Sequence, residues 1–120
     1  MTPTAEITTE QQGAVTVARI AGEPDLGNIQ VLEIQLWRGI PNSALGVIVD
    51  LSGVRYLDSA GLNLLFRLKK NLTQRGQRLA LVVPEQAMIW PLLRLVQLDR
   101  AIPIHPTVQA ALGAIAGSAE

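Results

Sequence analysis

This 120-residue sequence predicts one α/β domain, a mostly parallel, open sheet of four or five strands packed with about four helices, and three observations predict it. Two short runs, residues 47–49 and 79–83, are nearly unbroken in apolar residues, as strands covered on both faces usually are. The segment between them has helical spacing, with Leu65, Leu68 and Leu72 opposite Asn63, Arg67, Lys70 and Gln74. After an opening hairpin, strand and helix alternate, which is the pattern of right-handed parallel crossovers.

The elements follow in order. Residues 5–10 and 14–20 read as strands around Glu10-Gln11-Gln12-Gly13, a hairpin-length turn with Gly13 supplying the unusual dihedral. Gly22-Glu23-Pro24-Asp25 breaks that pattern, and Asp25 is placed to cap a helix over 26–38, where Ile29, Leu32, Leu36 and Ile40 recur at helical spacing. A loop over 39–46 leads into a buried strand over 46–51. Ser59 stands where a cap is expected ahead of a helix over 62–74, and Gly76 follows its last turn. A third helix over 85–98 contains Pro91, which inside a helix costs ~3 kcal/mol; a start near Met88, with Pro91 in the first turn, or a kink resolves the conflict. Met88, Ile89, Trp90, Leu92, Leu93, Leu95, Val96 and Leu98 make that helix apolar almost all round; the face turned from the core either pairs with a second copy, as a homodimer, or with a partner, or is buried under neighbouring loops. A strand at 102–104 and a helix over 106–115 complete the chain.

Composition narrows the function classes. At 48% hydrophobic the chain supports a single core, and ten basic residues cancel ten acidic ones. A nucleic-acid partner or an anionic membrane surface calls for a basic excess, so neither is expected. With no cysteine, disulfides and thiolate metal sites are excluded. The N-terminal residues lack the basic start and apolar run of a signal peptide, and no apolar stretch approaches the ~20 residues that span a bilayer. A cytoplasmic protein without membrane insertion is the expectation.

The informative cluster is Asp58-Ser59-Ala60-Gly61, at the junction of the buried strand and the second helix. Ser59 has an acid before it and two small residues after it, so its hydroxyl is open to another protein. That makes it a regulatory phosphosite or a simple helix cap; Leu62, where a capping box would carry Glu or Gln, leaves the box incomplete. A catalytic nucleophile is disfavoured, because Leu57 stands where a G-x-S-x-G elbow needs glycine and His105 is the only histidine. Asp50 and Asp58 are isolated carboxylates expected to accept from nearby backbone N–H groups rather than to hold a metal. No phosphate-cradling glycine motif occurs, so no cofactor is expected. Arg67, Lys69, Lys70, Arg75 and Arg78 suit the C-terminal end of a helix dipole.

Residues 47–70, V-I-V-D-L-S-G-V-R-Y-L-D-S-A-G-L-N-L-L-F-R-L-K-K, resemble the central block of the STAS domain family of anti-sigma factor antagonists: an apolar strand, a D-L-S-x-V-x-x-x-D-S-S/A-G-L turn, then a helix. Gly22-Glu23-Pro24-Asp25 resembles the G-E-L-D before the family's first helix, Gly76-Gln77-Arg78-Leu79 its G-x-x-L, and Leu98-Asp99-Arg100-Ala101-Ile102 its G-L-D-x-x-F/I. The likeness covers about residues 5–115 and implies one STAS-like domain over 1–120. It also implies a bacterial transcription regulator in a partner-switching circuit. Such an antagonist binds an anti-sigma factor that is a serine kinase, is phosphorylated at the serine matching Ser59, and is reset by a PP2C-type phosphatase. Asp25, Asp58, Ser59, Ala60 and Gly61 are then the partner-binding residues. The alternative within the family is a non-enzymatic subunit of a lipid-transport ABC complex or a stress-signalling scaffold. Pro24 in place of leucine, Leu26-Gly27-Asn28 after Asp25, and Pro91 depart from the family pattern; these departures leave the expected fold unchanged and bear on the partner surface and the identity of the kinase.

Overall fold

Two features of the chain set the sheet. A tight turn at Gly13 (φ +62) folds β1 (Ala5–Gln12) back on β2 (Val15–Gly22), antiparallel from Ala5↔Gly22 to Gln12↔Val15. Helical connections then add β3 (Gly46–Val54), β4 (Arg78–Val82) and β5 (Ile104–His105) in parallel, giving the order β1-β2-β3-β4-β5. The helices are α1 (Ile29–Arg38), α2 (Ser59–Gln74), α3 (Trp90–Leu95), α4 (Leu98–Ala101) and α5 (Val108–Gly117). The structure, a computed structural model, describes residues 4–117.

Period-two alternation divides the buried side chains between the sheet's two faces. One face carries Ala18, Ile20, Val47, Val49, Leu79, Leu81 and Val83, packed with Leu36 of α1, Leu65, Leu68 and Leu72 of α2, and Leu93 of α3. The other carries Val15, Val17, Ile48, Ala80 and Val82 beneath Ala111 and Ile115 of α5. Sequential strand order with crossovers of one hand sends α1, α2 and α3 to the same side. Both faces of β3 and β4 are therefore covered, which is why 47–49 and 79–83 read as unbroken apolar runs. Gln77, 5% exposed, ties the loop before β3 to the sheet by donating from Nε2 to the carbonyls of Pro41 (3.1 Å) and Ala44 (3.0 Å).

Several boundaries differ from expectation. The third helix is two pieces: α3 begins at Trp90 with Pro91 in its first turn, where proline displaces no hydrogen bond, and the chain breaks at Gln97 (φ 60) before α4. The last strand is Ile104–His105 rather than 102–104, because Ile102 closes α4 by donating its N–H to the Leu98 carbonyl. Of the apolar residues on the 85–98 segment, Ile89, Leu93 and Leu98 are buried, while Met88 and Leu95 stand about four-fifths exposed.

Candidate functional site

The Ser59 turn is assembled where β3 runs out, at the carboxyl end of the parallel strands, the end at which open α/β sheets gather their working residues. Asp58 adopts extended backbone (φ −100, ψ −174) and its carboxylate caps α2: Oδ1 accepts from the Gly61 N–H at 3.0 Å. Its other oxygen, Oδ2, accepts from the Leu26 N–H at 3.2 Å. One carboxylate thus joins the start of α2 to the loop between β2 and α1. The expected cap was Ser59; the cap is Asp58, and Ser59 is the first residue of the helix. Two residues with capping side chains stand side by side here, and the longer one lies where its second oxygen also meets a backbone donor from another loop.

That shift changes what Ser59 can do. Its side chain is exposed, and among the described residues nothing hydrogen-bonds its hydroxyl. Ala60 is half-buried against Ile29, Leu32 and Leu64, so the helix start is pinned to α1. Gly61 is buried under the facing loop: a Cβ there would lie 2.7 Å from Leu57 Cδ2 and 3.3 Å from the Pro24 carbonyl oxygen. The small residues after Ser59 therefore serve close packing, Ala60 of α2 on α1 and Gly61 of α2 on Leu57 and the 22–28 loop.

Asp25 does not cap α1, which starts three residues later than expected behind Asn28. Its Oδ1 accepts from the Gly27 N–H (2.9 Å), its own N–H donates to Asn28 Oδ1 (2.9 Å), and its carbonyl accepts from the N–H groups of Asn28 and Ile29. Asn28 also donates from Nδ2 to Thr4 Oγ1 at 2.8 Å. This closed turn holds Leu26, 79% exposed, at the edge of the Ser59 surface, and Tyr56, 53% exposed, comes from the loop before Asp58. Sequence reasoning missed both; an apolar residue inside a turn bounded by Asp25 and Asn28 was the available signal. Farther along the helix pair, Glu33 accepts from Arg67 Nη2 at 2.8 Å, and that bond raises the guanidinium's pKa above its ordinary value.

Asp50, expected to bond backbone, accepts from the N–H and hydroxyl of Ser52 (2.9 and 2.6 Å). Among the described residues no three carboxylates or histidines gather to hold a metal, and no helix is long and apolar enough to cross a membrane.

Comparison with known proteins agrees with this architecture. The STAS domain model matches residues 6–111. An anti-sigma factor antagonist from Mycobacterium paratuberculosis is 28% identical over 92% of this chain and 93% of its own, with a TM-score of 0.81. The anti-sigma factor antagonist SpoIIAA in its unphosphorylated form is 17% identical over 93% of this chain and 97% of its own, with a TM-score of 0.73. A sulfate transporter family protein from Wolinella succinogenes is 18% identical over 85% of this chain and 84% of its own, with a TM-score of 0.71. The last two likenesses are of fold alone.

Proposed function

We propose, from the premise that this chain belongs to the STAS domain family, that it is an anti-sigma factor antagonist switched by phosphorylation of Ser59. In this reading the turn formed by Asp25, Asp58, Ser59, Ala60 and Gly61 docks on an anti-sigma factor that is a serine kinase. Phosphorylation releases the partner and a PP2C-type phosphatase restores binding. The single observation that carries the reading is the division of labour at the turn. Asp58 holds α2 and the neighbouring loop, while the adjacent Ser59 hydroxyl is exposed and unengaged.

The physical mechanism follows from that division. Phosphate brings about −2 charge to the first residue of α2. The Gly61 N–H is taken by the Asp58 carboxylate and the Leu62 N–H by the Asp58 carbonyl. The N–H groups of Ser59 and Ala60, which have no intrahelical acceptor, remain to face the phosphate, and the helix dipole favours its charge. The fold tolerates it. A partner packed over Leu26, Tyr56 and the exposed Ser59 would not, because the charge must then be desolvated beside the Asp58 carboxylate.

The test is incubation with a candidate anti-sigma kinase and ATP, followed by mass spectrometry of wild type and Ser59→Ala. Label on Ser59 and none on the variant supports the switch. No label, with unaltered partner binding by both proteins, replaces it with the transport-subunit or scaffold reading.

A further inference from the structure

At the other end of α2 lies a cavity that the Ser59 reading does not use. β5 pairs with Leu81 and Val82, so among the described residues the first half of β4 has no strand on its outer side. The lane left there is a cavity of about 360 Å³ between the last turns of α2 and α5. That volume falls within the range of small-molecule sites. Leu79 and Ala80 form its floor, with Pro103 and Ile115 on its walls.

Besides the neutral Thr73 and Gln77, the polar side chains around it are those of Lys69, Arg78 and His105. Lys69 of α2 is half-buried at the rim, and among the described residues no carboxylate lies within ion-pair distance of it. His105 of β5 is half-buried as well, with its Nε2 buried and unpartnered. Arg78 is engaged in the wall, donating from Nη1 to the Ile115 carbonyl at 3.4 Å. Among the described residues no aspartate or glutamate lines the cavity. An aliphatic floor closed by a half-buried ammonium without an acid calls for a ligand apolar along its length and negative at one end.

We propose that this cavity binds a small amphipathic carboxylate, with its chain over Leu79 and Ala80 and its carboxylate on Lys69. Lys69 stands ten residues along α2 from Ser59, about 15 Å at ~1.5 Å per residue, so the ligand leaves the Ser59 turn uncovered.

The probe is octanoate, titrated into the uniformly nitrogen-15-labelled full chain and followed by amide chemical shifts, with 1-octanol as its neutral counterpart. Saturable shifts at Leu79, Ala80 and Ile115 are expected, at least ~10-fold weaker for 1-octanol and for Lys69→Glu. Ala114→Phe, which places a ring at the cavity wall, should abolish them while the remaining spectrum is unchanged. Absence of shifts at these three amides overturns the proposal, as does equal binding of octanoate and 1-octanol or undiminished binding to Lys69→Glu. None of these readouts involves Ser59, so the proposal stands or falls independently of the phosphorylation switch.

Discussion

Removing the Asp58 carboxylate tests the assembly of the turn. Asp58→Ala deletes the acceptor of the Gly61 N–H, a cap whose loss typically costs ~1 kcal/mol. It also deletes the acceptor of the Leu26 N–H, a second bond to a charged group worth about 1 kcal/mol in this partly exposed position. The sum is a destabilisation of about 2 kcal/mol. For a chain of 120 residues, unfolding entropy of ~2.1 cal/mol/K per residue converts this to a drop in Tm of about 8 °C. Asp58→Asn, which keeps one carbonyl oxygen, should lose about half as much. Ser59→Ala, one residue away, should change stability by less than ~0.5 kcal/mol, because Ser59 caps nothing. Urea and thermal unfolding followed by far-UV circular dichroism give all three numbers. If Ser59→Ala proved the costly substitution and Asp58→Ala the neutral one, the assignment of the cap would be wrong.

Three further outcomes are expected. Gly22 has φ +97 and a Cβ there would lie 2.2 Å from the Thr4 carbonyl oxygen, so Gly22→Ala should cost at least ~1–3 kcal/mol in urea denaturation. Glu10 is held below the ordinary carboxylate value by its hydrogen bond from Arg19, aided by Gln12. Its folded pKa is depressed, so its small contribution is present above the unfolded value and lost as pH falls through the folded one; wild type and Glu10→Gln should differ at neutral pH and converge in acid. Leu95 is 79% exposed on α3, so Leu95→Glu should leave Tm unchanged while suppressing any concentration-dependent sedimentation seen for wild type; a large fall in Tm would place that side chain in the core.

How far the sequence was legible depended on the range of the interactions that decide each feature. Ile29, Leu32 and Leu36 were readable from spacing because burial of one helix stripe is a periodic, local signal, and all three are buried; Ile40, read into the same stripe, is buried too but lies past the end of α1. The runs at 47–49 and 79–83 were readable because helices on both faces leave no polar alternation. Pro91 was placed in a first turn by sterics alone, and it lies there. The cap was misplaced by one residue, since the Asp58–Leu26 bond joins positions that are 32 residues apart and no local pattern contains it. The break at Gln97 was unreadable for a related reason. Glutamine is not a residue that favours positive φ, so the burial of Leu93 and Leu98 on either side, rather than local preference, accounts for the turn. Of the site residues, Ser59 was legible as exposed because Asp58, Ala60 and Gly61 give it no cover, whereas Leu26 and Tyr56 came to its edge only through the fold.

The central claim is that charge on Ser59 breaks partner binding and leaves the fold intact. Its most direct measurement is the affinity of wild type, Ser59→Asp and Ser59→Ala for the cognate anti-sigma factor by isothermal titration, with Tm recorded for each. The account predicts at least a ~10-fold loss of affinity for Ser59→Asp, about 1.4 kcal/mol, with Tm nearly unchanged and with Ser59→Ala binding like wild type. Equal affinity for all three proteins would contradict it, as would loss of binding by Ser59→Asp that is accompanied by loss of the fold.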